Sequence, residues 1–165
     1  MKGFEVVGVD AENHSLNSYE GFLCLIQLSV YPVVDQCAPI TFLVDVLAPE
    51  VRQNFKQTIG EVFENPSVIK LLHGCISSDV VWLMRDFGVM INGVFDTQDF
   101  QTGILSLKQN LGLANFWLQY CKGLNHIPVE DKHQYQVSDW SVRPLPARQL
   151  EYAANDTYFL YHIAR

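Results

Sequence analysis

The sequence lacks any apolar run near the roughly 20 residues that a membrane-spanning helix needs. Its best candidate, residues 22–34, is interrupted by Gln27, Ser29 and Pro32. The four cysteines, Cys24, Cys37, Cys75 and Cys121, form no C-x-x-C pair, which argues against a zinc ribbon. Cys24 and Cys75 lie in apolar segments and read as small core residues, so a reducing intracellular compartment is expected. There is no internal repeat, low-complexity tract or linker-like stretch. Residues 1–5 lead directly into a strand-like segment, without a signal-peptide pattern. Positive charge is scarce too. Lys and Arg number 11 against 18 Asp and Glu, a net charge of −7, opposite in sign to most phosphate-binding surfaces.

What is present describes one globular domain. The chain has 165 residues, 48% of them hydrophobic and 18% charged, enough to bury a core. Residues 5–10 (EVVGVD), 22–31 (FLCLIQLSVY) and 40–45 (ITFLVD) read as strands. Short spacers with Gly21, Pro32 and Pro39 predict that they form an antiparallel meander. The pattern then alternates. Helix signals cover residues 48–59, opened by Pro49 and Glu50, and 77–87, stopped by Gly88. Short strands are predicted at 68–73 and 91–95, and helices at 96–107, 107–121 and 146–163. Residues 122–143 read as a polar loop. Three strands followed by alternating strands and helices predict a three-layer α/β sandwich around a mixed sheet.

Three acidic signals stand out. Asp10 and Glu12 are two apart on a strand and share a face. Two adjacent carboxylates repel unless a cation sits between them, so the pair is a candidate Mg²⁺ or Mn²⁺ site. An isolated D-x-E is more often a solvated turn. Tyr152 and Asp156, four apart on a helix, share a face as well. Asp79 opens the helix after a strand that ends in His73-Gly74, the functional edge of many α/β sheets. Alone, an Asp in a first helical turn is more often there to offset the helix dipole.

Taken together, the motifs resemble the DEDD exonucleases of the ribonuclease D family, in the branch with a tyrosine in its last motif. The resemblance rests on VGVDAENHS with Asp10 and Glu12, LLHGCISSDVVWLMRDFG with Asp79, and LEYAANDTYFL with Tyr152 and Asp156. It extends to FDT at residues 95–97, YQVSDWSVRPLP at 135–146, and Gln27 within LCLIQLS. The wording is more similar to the eukaryotic nuclear-exosome branch than to the bacterial one, and it runs over residues 4–165. Two positions depart from the family pattern. His73 to Asp79 is six steps rather than five, and Ser141 stands where Arg is frequent.

The resemblance implies a ribonuclease-H-like α/β domain with a five-stranded mixed sheet. It implies a 3′-5′ exoribonuclease acting in RNA processing and releasing nucleoside 5′-monophosphates. Asp10, Glu12, Asp79 and Asp156 would hold two divalent ions, Mg²⁺ or Mn²⁺, and Tyr152 would position the attacking water. His14 and Ser15 are candidate contacts to the terminal nucleotide. Trp82 and Trp140 are candidate substrate-binding aromatics, weighed against core packing for both, while His73 is expected to be a hydrogen-bonded junction residue. The implied partners are the 3′ end of single-stranded RNA and, through segments outside residues 1–165, the exosome core. A monomer in the nucleus is expected, with no membrane contact. The family's helical C-terminal domain has no counterpart in residues 1–165, so the chain reads as a catalytic fragment. Two divalent ions would offset four of the negative charges and leave the domain acidic. Lys122, Lys132, Arg143 and Arg148 are scattered, so weak RNA binding by this domain alone is expected. Two alternatives share the fold: a catalytically silent RNA-binding relative, and a DNA 3′-5′ exonuclease.

Overall fold

The computed structural model describes residues 5–31, 39–105, 111–120 and 129–164. Cys37, Cys121 and Lys122 lie outside them. Strands β1 (Val6–His14), β2 (Phe22–Val30) and β3 (Ile40–Asp45) form the expected antiparallel meander. β4 (Ile69–Leu72) pairs parallel to β1 on its other side, and β5 (Val94–Asp96) pairs parallel to β4. The order β3-β2-β1-β4-β5 puts β1 at the centre of the sheet.

Alternation along β1 divides the molecule into layers. Val7, Val9 and Ala11 point to one face, where Phe55, Phe63 and Leu83 complete a core. These come from the segment after α1 (Pro49–Asn54), from α2 (Ile59–Glu64) and from α3 (Asp79–Phe87). The opposite face of the sheet carries α7 (Ala147–Tyr158), with Leu25 packed against Tyr152 and Ala153. Leu71, Tyr31 and Leu160 extend that layer under α8 (Leu160–Ala164). The three-layer α/β arrangement expected from the element order is present.

Several boundaries differ from expectation. β1 does not stop at Asp10 but continues to His14, and its pairing with β2 shifts register between Glu12 and Asn13. Such a bulge re-aims the side chains beyond it. The helix expected over residues 48–59 is shorter: α1 ends at Asn54, and a second, unanticipated helix, α2, starts only at Ile59 and runs on to Glu64. The break turns Phe55 and Phe63 inward, both fully buried, with Phe55 stacked on Phe87 at 4.0 Å. The last helix is interrupted at Phe159, whose ring meets Trp117 at 4.3 Å. α4 (Thr97–Gly103) and α5 (Leu113–Tyr120) fall inside the two stretches expected to be helical. The expected loop at 122–143 contains a helix, α6 (Val129–Gln136). Its sequence, VEDKHQYQ, has no apolar stripe, so periodicity gives no signal for it.

Gly8 sets how closely α7 approaches β1. A Cβ there would run into the Tyr31 hydroxyl and lie 2.9 Å from the Thr157 carbonyl oxygen. Tyr31 donates to that same oxygen at 2.5 Å. The obstacle is helix backbone, which cannot rotate away. Gly8→Ala is therefore expected to cost about 1–3 kcal/mol in urea unfolding, the usual range for overpacking.

Candidate active site

The strand and the helix meet at carboxylates. Asp10 and Glu12 leave β1 on the α7 face, and Asp156 comes down from α7 one turn after Tyr152. One oxygen from each of Asp10, Glu12 and Asp156 lies within 4.8 Å of the others. Asp79, at the start of α3, stands outside this tight group but lines the same cavity of about 580 Å³. All four acids and Tyr152 that the motifs singled out thus face one space.

Without a cation, this arrangement is electrostatically costly. Burial pushes the Asp10 carboxyl well above its ordinary range, and the charges of Asp79 and Asp156 push it further. Glu12 is raised well above its range too, by burial and then by Asp10 and Asp156. Burial lifts Asp79 to about 6. The Ser78 hydroxyl donates to Asp79 Oδ2 at 2.7 Å, while the buried Asp79 Oδ1 has no partner among the described residues. Crowded hard oxygen donors, one of them buried and unpaired, fit a divalent cation such as Mg²⁺ or Mn²⁺.

The surroundings hold these acids in place. Asp96 accepts from the backbone N–H groups of Gly74 and Cys75, each at 2.8 Å, and from Gln98 at the start of α4. This fixes the loop that leads to Asp79 and gives the FDT motif a physical role. His73 is bonded at both ring nitrogens, to Thr97 Oγ1 at 2.8 Å and to Leu111 O at 3.1 Å. That is the junction role expected for it. Arg143 grips both Asp45 oxygens at 2.7 Å and donates to the Trp140 carbonyl, tying the loop before α7 to β3.

Tyr152 is buried between Tyr135, at 5.4 Å, and Trp140, at 6.1 Å. Burial and then the nearby carboxylates push its phenol far above its ordinary value, so it carries its proton. Lys132, from the unanticipated α6, donates to Asp156 Oδ1 at 3.1 Å and lies 5.7 Å from the Tyr152 ring centre. Sequence reasoning counted Lys132 among scattered basic residues, because its reach depends on a helix without an apolar pattern.

The substrate-contact candidates are distributed differently. Trp82 lines the cavity and also packs against the core beneath α3. Trp140 is 1% exposed and sits against Tyr152, its indole N–H donating to Tyr135 O at 3.2 Å. Its observed contacts are packing contacts that support Tyr152. His14 is buried, with Nδ1 3.1 Å from Asp139 Oδ1 and its ring 5.0 Å from Phe22. Ser15 is exposed. Neither His14 nor Ser15 is among the described residues lining the cavity.

A 3′-5′ exonuclease family model matches residues 1–165. The chain belongs to the 3′-5′ exonuclease family. Among curated relatives, the exosome complex exonuclease RRP6 of Saccharomyces cerevisiae is 35% identical over 163 residues, which is 99% of this chain and 20% of that protein. The catalytic core of RRP6 from Trypanosoma brucei superposes with a TM-score of 0.78 at 34% identity, covering 98% of this chain and 39% of that one. Escherichia coli RNase D, an exoribonuclease involved in structured RNA processing, gives a TM-score of 0.71 at 26% identity, over 98% of this chain and 38% of that one. These relatives place this exonuclease-family domain in the ribonuclease D branch. It spans about a fifth of the length of the yeast protein.

Proposed function

We propose that this domain is a 3′-5′ exoribonuclease that hydrolyses the terminal phosphodiester of single-stranded RNA with two divalent ions. The observation that carries this reading is the convergence of Asp10, Glu12 and Asp156 within 4.8 Å, on a cavity also lined by Asp79 and Tyr152. Held by Asp10, Glu12, Asp79 and Asp156, two divalent ions would supply activation of the attacking water and stabilisation of the leaving 3′ oxygen. The protein's own part is placement. The four carboxylates present oxygen donors from β1, α3 and α7. The protonated Tyr152 hydroxyl hydrogen-bonds the attacking water and orients it. Trp82 offers a ring to the terminal nucleotide from the cavity wall, and His14 and Ser15, at and just after the end of β1 and outside the described cavity lining, are assigned to the same nucleotide.

The product on this reading is a nucleoside 5′-monophosphate. The yeast relative is an exosome exonuclease by name. That supports an exosome partnership through segments outside residues 1–165, a nuclear setting and a role in RNA processing. The monomer expectation stands as part of the proposal. The acidic charge supports weak RNA binding by this domain alone, confined to the last few nucleotides.

The test uses matched RNA and DNA oligomers labelled at the terminal 3′ nucleotide, with the released label identified by thin-layer chromatography. Nucleoside 5′-monophosphate released faster from RNA supports the proposal. Equal or faster release from DNA assigns the domain to DNA instead, and no release from folded protein leaves a silent relative. In the same assay Tyr152→Phe is expected to lower kcat by about 10²-fold or more. Its metal affinity should be unchanged, because the phenol aligns water without holding an ion.

A further inference from the structure

We propose that Gln27 is a positioning residue for Glu12, setting which carboxylate oxygen is offered to the metal. The inference rests on the proposed metal-dependent function. Gln27 lies in the middle of β2, directly opposite Asp10, between buried Ile26 and half-buried Leu28. It is completely buried. Its neighbour across β3 is Leu43, so an aliphatic side chain would suit the position for packing. Instead the position carries an amide whose Oε1 has no partner among the described residues. Burying an unpaired carbonyl is unfavourable, so packing alone does not account for the residue.

What the amide does is specific. Cross-strand partners share a face, and a long side chain reaches the diagonal neighbour two residues on. From its place opposite Asp10, Gln27 Nε2 donates to Glu12 Oε1 at 3.1 Å. A neutral donor fixes that oxygen without placing a competing positive charge in the site. Asp79 repeats the scheme, with Oδ2 held by the Ser78 hydroxyl and Oδ1 left unpaired. In each case a neutral side-chain donor ties down one carboxylate oxygen. Outer partners of this kind orient metal ligands, and their loss typically weakens metal binding about 10–100-fold.

The experiment compares wild type with Gln27→Met, which keeps the volume but loses the donor, and Gln27→Asn, which keeps the amide but is too short to reach Glu12. Mn²⁺ binding is measured by isothermal titration calorimetry, together with the melting temperature of the metal-free protein and kcat at saturating Mn²⁺. Expected for whichever variants fold is affinity about 10-fold or more weaker, with kcat largely restored at saturating ion. Gln27→Met should melt at or above the wild-type temperature when metal-free, a combination that a purely structural role would not produce. Wild-type affinity in either folded variant overturns the positioning role and leaves the proposed function standing. If wild type itself binds no Mn²⁺, the metal-dependent function falls first and this role with it.

Discussion

Asp156→Asn is expected to slow metal-dependent release of nucleotides from RNA by about a thousandfold or more. The substitution replaces an anionic ligand with a neutral amide at the one place where β1 and α7 carboxylates meet. Metal ions contribute several kcal/mol of charge stabilisation in the transition state, and each 1.4 kcal/mol is about tenfold in rate. The same substitution leaves Lys132 without its carboxylate partner. It also relieves Asp10 and Glu12 of a charge that raises both. The metal-free variant should therefore keep its fold, with a melting temperature within a few degrees of wild type. Single-turnover rates on a short RNA, read beside a thermal melt, check both halves. A folded variant within tenfold of the wild-type rate contradicts the role given to Asp156.

The second large effect is a reversal of pH dependence by metal. Asp79 sits at about 6 against an ordinary 3.8, and Asp10 and Glu12 are also raised. A carboxyl raised on folding binds its proton more tightly in the folded state than in the unfolded one. Its contribution to stability is present below the ordinary carboxyl range and is lost as pH rises through the folded value. The metal-free domain should therefore melt at a higher temperature near pH 5.5 than near pH 8. Divalent ions need the deprotonated carboxylates, so their affinity rises over the same interval. Millimolar Mg²⁺ or Mn²⁺ should raise the melting temperature strongly at pH 8 and weakly at pH 5.5. Scanning fluorimetry over a pH series with and without metal reads the crossing. A metal effect equal at both pH values would contradict a carboxylate cage.

Much of the fold was legible because its elements carry local signals. The meander is visible as three Val- and Leu-rich runs with short spacers, and α3 is closed by Gly88, which takes the left-handed conformation at the helix end. What escaped depends on tertiary contacts. α6 has no apolar stripe and is held by Lys132 on Asp156 and Tyr135 on Tyr152. The helix split at Phe159 follows from where its ring packs, not from a Gly or Pro.

The site divides the same way. The i, i+2 spacing of Asp10 and Glu12 and the i, i+4 spacing of Tyr152 and Asp156 each defined a shared face. That the two faces meet depends on β1 lying in the middle of the sheet with α7 across it, which no spacing encodes. The family resemblance supplied that link. Gln27 did leave a trace, as the lone amide inside LCLIQLSV, where Ser29 is the one other polar residue. Its meaning required the register that sets it opposite Asp10. Trp140 illustrates the converse. A tryptophan in a motif suggests a substrate platform, yet this ring is buried behind the tyrosine it steadies.

The most direct test of the account is a degradation time course on a single-stranded RNA labelled at its 5′ end, with Mg²⁺, with Mn²⁺ and with EDTA. The expected result is a ladder that shortens from the 3′ end in either metal and stays intact in EDTA. Internal cuts, shortening in EDTA, or intact RNA in both metals from protein shown to be folded would contradict a metal-dependent 3′-5′ exoribonuclease.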